Sequence, residues 1–105
     1  MNLNIIKNAL LTVTSNVGHY EVLKKTDQYI VWAEDGQADS LWADGKMQEQ
    51  VITGTVDYFT KTEYDPNVVK IQAALNEAEI SFRLNSIQYE EDTKLIHYEW
   101  VWSLG

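Results

Sequence analysis

The sequence predicts an α+β fold, with two helices packed on one face of a largely antiparallel sheet in the order helix, strand, strand, helix, strand, strand. Two helical stripes and three stretches of strand-like alternation predict it, in a chain of 105 residues that suffices for one core and is too short for two. Four Trp, six Tyr, two Phe and a single Pro within 45% hydrophobic residues exclude a disordered or collagen-like chain. Residues 1–105 are therefore expected to form one domain, with an extended loop or arm at about residues 36–50.

Leu3, Ile6, Leu10 and Val13 recur at spacings of three, four and three, which places them on one side of a helix near residues 3–14 that Asn2 can cap. Gly18 supplies a chain reversal, and His19 to Asp27 reads as a loop or short extended segment before the first strand. Tyr29 to Ala33 is a short apolar run closed by Glu34-Asp35-Gly36, the pattern of a strand covered on both faces. Gln37 to Gly45 holds turn formers, yet it also displays Leu41 and Trp42, which a solvated loop has no reason to carry.

Met47 to Thr60 reads as one long half-buried strand, with Ile52, Gly54, Val56 and Tyr58 on one face and Thr53, Thr55 and Asp57 on the other. Asp65-Pro66 opens a second helix over about residues 66–78 by a capping side chain and a preset first turn, and Val68, Ile71, Leu75 and Ala78 form its stripe. Ile80, Phe82 and Leu84 alternate, then Ile87 and Tyr89 appear in the opposite phase, so a bulge near Asn85-Ser86 is expected to reset one bent strand. Glu90 to Thr93 makes a polar turn, after which Ile96, Tyr98, Trp100 and Trp102 share a face and His97, Glu99 and Ser103 oppose them.

The chemistry this sequence excludes is broader than what it offers. The absence of Cys excludes disulfides, Cys-based zinc and thiol catalysis, and fits a reducing cytosol. A formal charge of −8 repels phosphate, so no sequence-specific nucleic-acid binding and only weak affinity for duplex DNA are expected. Met1 to Leu11 is too short and too interrupted for a signal peptide or a membrane span, and no membrane partner is expected. Among carboxylates, Glu34-Asp35 and Glu90 to Asp92 read as turn acids, with Asp57 on a strand face as the exception. The acids of residues 35–45 lack calcium-loop spacing, and His19 and His97 are too few for a His-only metal site. No Ser lies in a nucleophile elbow, and the five Gly are too dispersed to cradle a phosphate. Tyr98, Trp100 and Trp102 read as core or subunit contact, because stacking platforms for bases pair such rings with basic residues. The expected catalytic, cofactor-binding and metal residues are accordingly none.

Tyr29 to Gly36, Asp57 to Pro66, and Ser86 to Thr93 running into Ile96 to Trp100 together resemble the tail terminator, or tail completion, proteins of long-tailed phages and prophages. The resemblance spans most of the chain and extends to neighbouring head-tail joining and minor capsid families. It implies a non-enzymatic virion subunit, made in the host cytoplasm, that closes into a homo-oligomeric ring, commonly a hexamer. Such a ring caps the tail tube and joins it to the head connector. Leu41, Trp42 and Met47 are the expected subunit-interface residues, on the ground that an acidic arm with an apolar tip can reach a neighbour. The alternative reading is an acidic phage-encoded mimic of DNA that occupies a host protein's nucleic-acid site.

Overall fold

Asp65 ties the second helix to the sheet, and the rest of the fold is most easily followed from that knot. In the computed structural model, which describes residues 2–38, 41–43 and 46–105 and leaves the side chains of 41–49 aside, helix α2 (Pro66–Glu77) begins at this residue. The Asp65 carboxylate accepts the N–H of Asn67 at 2.9 Å as a helix cap. Its other oxygen accepts from the hydroxyls of Tyr58 and Thr60 at 2.6 and 2.7 Å and from the Gln28 amide at 3.0 Å. Burial alone would raise the Asp65 pKa, but these bonds outweigh it and hold the group below the usual carboxylate range. Burial and the bond to Asp65 push the Tyr58 hydroxyl up to about 12.

Helix α1 (Asn4–Leu11) starts where Asn2 Oδ1 accepts the Asn4 N–H, and it is shorter than the stripe through Val13 predicts. The cause is local, since Thr12 Oγ1 donates to Ala9 O at 2.6 Å and closes the last turn with a side chain. Five strands form the main sheet in the order β1-β2-β5-β7-β6, from β1 (Val17–His19), β2 (Gln28–Gln37), β5 (Ile52–Thr60), β6 (Ser81–Glu90) and β7 (Leu95–Leu104). All neighbours are antiparallel except β1 and β2, which run parallel. β3 (Leu41–Ala43) and β4 (Lys46–Glu49) pair as a separate two-stranded sheet.

An α+β fold with two helices and a largely antiparallel sheet is thus the observed class, with β1, β3 and β4 added to the predicted order. β1 takes Val17–His19 and so begins before the expected loop, while the long strand expected from Met47 to Thr60 is broken between β4 and β5. Strands of three or four residues carry too little alternation to announce themselves.

Packing follows the period-two pattern. Ile30 and Trp32 of β2, Val56 and Tyr58 of β5, and Trp100 and Trp102 of β7 face the helices and bury against Ile6, Leu10, Ile71 and Leu75. The Trp100 indole N–H donates to Gln72 of α2 at 3.0 Å, which leaves this large buried ring without an orphan donor. Gly54 lets Trp102 lie flat across β5, for a Cβ there would stand 2.3 Å from the indole and 2.1 Å from Ala33 O. The expected bulge is present, because the register shifts between Leu84 and Ser86. It keeps Phe82, Leu84, Ile87 and Tyr89 on the same face as Trp102, Trp100, Tyr98 and Ile96, their partners in β7.

Candidate functional site

Among the described residues, the opposite face of the sheet carries no helix and is built from the odd-numbered residues of β2, β5 and β7. Tyr29, Phe59 and His97 lie side by side across these strands, with ring centroids 4.6 and 4.2 Å apart. His97 meets Asp57 through Nε2 at 2.6 Å and lies 3.4 Å from Glu90 through Nδ1. Glu99 stands opposite Asp57 in the β5–β7 register and accepts the Asn85 amide at 2.8 Å. The hydrogen bond to Asp57 and the charge of the three carboxylates raise the His97 pKa against the opposing effect of burial.

Ligand atoms of Asp57, His97 and Glu99 fall within 4.8 Å of one another, so one nitrogen and two carboxylate oxygens are available to a divalent cation. In the arrangement seen, His97 Nε2 is hydrogen-bonded directly to Asp57 Oδ1 at 2.6 Å. The cluster's polar contacts link β5, β7 and the end of β6. Sequence reasoning named Asp57, His97 and Glu90 separately but neither joined them nor singled out Glu99, because the group comes together only through the cross-strand register. The i, i+2 spacing of His97 and Glu99 on a predicted polar strand face is the one signal that points to them.

A second feature lies on the helix-bearing face. Leu84, Ile87 and Tyr89 continue the apolar row of Phe82 along β6, yet they are 41, 57 and 59% exposed. Ile80, just before the strand, is buried, so the row runs from the core out into solvent past the cover of α2. β6 is also the sheet's outermost strand, with β7 on one side and no strand on the other among the described residues.

Trp100 and Trp102 belong to the core, as expected, and Tyr98 packs against it. The turn acids Glu91 and Asp92 are exposed, whereas Glu90 turns toward His97. The side chains of Leu41, Trp42 and Met47, the expected interface residues, lie outside the described residues. Among the described residues no helix is long and apolar enough to cross a membrane.

This arrangement defines a class by shape: a five-stranded sheet, one face closed by two helices, with an accessory hairpin between its second and third strands in chain order. A solved structure of the same fold is a chain described as "Virion of native gene transfer agent (GTA) particle", with a TM-score of 0.61 and 12% identity. The superposition covers 93% of this chain and 88% of the other. At that identity the likeness is one of fold. No family model and no curated protein sequence matches the chain.

Proposed function

We propose that the protein is a structural component of a phage-like virion, and more narrowly a tail terminator subunit that forms a ring at the head-proximal end of the tail. The fold shared with the gene transfer agent virion chain, over nearly the full length of both, carries the reading. The motif resemblance drawn from residues 29–36, 57–66 and 86–100 supports it independently.

In this role the chain is not an enzyme. Its work is to present surfaces: head-to-tail contacts close a ring when the rotation per subunit divides a full turn. A hexamer contacting the tail tube on one side and the head connector on the other is the specific form proposed. The charge of −8 disfavours adhesion to DNA passing through such a ring. Electron microscopy and mass spectrometry of purified particles test the proposal. A ring of this chain at the head-tail junction is the expected result, and absence of the chain from purified particles overturns it.

A further inference from the structure

We propose that the outer edge of β6 pairs antiparallel with the same edge of a second copy of this chain, joining the two sheets into one. The proposal goes beyond the ring reading and does not rest on it. An edge strand exposes a row of unpaired N–H and C=O groups, and proteins that keep such edges single blunt them with Pro, central charges or short length. β6 has ten residues, its Pro-free middle (Leu84 to Tyr89) carries no charge, and it presents Leu84, Ile87 and Tyr89 to solvent.

The register identifies the occupant. Asn85 is the extra residue of the bulge, so Ile87 lies midway between Leu84 and Tyr89 when steps are counted along the ladder with β7. A two-fold axis at Ile87 therefore sets Ile87 against Ile87 of the second copy and Leu84 against Tyr89 of the second copy, all on the helix-bearing face. One step further out, Arg83 falls opposite Glu90 of the second copy, both on the helix-free face. Each dimer thus gains two apolar pairs, one central contact and two opposite-charge pairs. Within β6 the charges of Arg83 and Glu90 cancel, so this strip approaches its own copy without the repulsion that a chain of charge −8 otherwise meets. The contact is isologous and closes at two copies. It covers the edge of the free subunit, and it differs in kind from the head-to-tail contacts of a ring.

The chain contains no cysteine, so Ile87→Cys places a single thiol on the proposed axis. Under mild oxidation this variant should form a disulfide-linked dimer, while Leu23→Cys, fully exposed near the other edge of the sheet, should not. Sedimentation of the unmodified chain should show a dimer. Arg83→Glu, which sets two acids against each other at each end of the strip, should weaken it by about tenfold. A chain that remains monomeric at ~100 µM and gives no disulfide at position 87 overturns the proposal. So does cross-linking of Ile87→Cys to Leu23→Cys in a mixture with no 87-to-87 product, which would mean that β6 meets the opposite edge instead. Neither result bears on whether the chain is present in virions.

Discussion

Two stretches of the same apolar row on β6 have different fates. Ile80 is buried at the mouth of the strand and Phe82 packs against the core, whereas Leu84, Ile87 and Tyr89 stand in solvent. The residue types are alike and the bulge keeps them on one face. The difference lies in what covers them, since α2 shields only the first stretch. Burial of the covered stretch serves folding, and exposure of the second leaves surface for association. An apolar alternation in a sequence therefore marks a face without saying whether the same chain closes it.

The largest effect that sharpens this contrast is expected in the covered half. Trp100→Ala removes a fully buried indole and its bond to Gln72, and should cost about 3–5 kcal/mol, read as a large fall in Tm or loss of folding. Asp65→Ala comes next. It strands the hydroxyls of Tyr58 and Thr60 and uncaps α2, at about 3 kcal/mol by denaturant unfolding. Because the folded-state pKa of Asp65 lies below the ordinary carboxylate value of 3.8, its contribution is present above that pH and is lost as pH falls through the lower, folded value. Asp65→Asn should flatten this acid limb of the stability profile.

On the helix-free face the effect is smaller and has the opposite sign in pH. His97 binds its proton more tightly in the folded chain than at the ordinary imidazole value of 6.5. The stabilisation is complete below pH 6.5 and fades as pH rises through the higher, folded value. His97→Gln should cost on the order of 1 kcal/mol at pH 6 and less at pH 9, measured by urea unfolding at both. An unchanged pH dependence in this variant would show that the bond to Asp57 does not tie the strands.

Much of the fold is legible in the sequence because its signals are local. Asp65-Pro66 announces the start of α2, and the reversal of phase between Leu84 and Ile87 announces the bulge. β1 is not legible: its middle residue, Gly18, reads as a chain reversal but lies within the strand, and three residues pairing in parallel with β2 carry too little alternation to mark it. The cluster at His97 is hidden for another reason, since Asp57 lies 40 positions away and reaches it only through the β5–β7 register. The exposure of Ile87 is invisible for a third, because it depends on where a helix that is separate in sequence stops covering the sheet.

The most direct test of the division of labour along β6 is to measure stability and association together in the triple variant Leu84→Ser, Ile87→Ser, Tyr89→Ser. Exposed positions of this kind change stability by about 0.5 kcal/mol or less each. The account predicts a Tm within a few degrees of the unmodified chain and a loss of the dimer in sedimentation. A steep fall in Tm with association intact would contradict it, for the row would then belong to the subunit's own core.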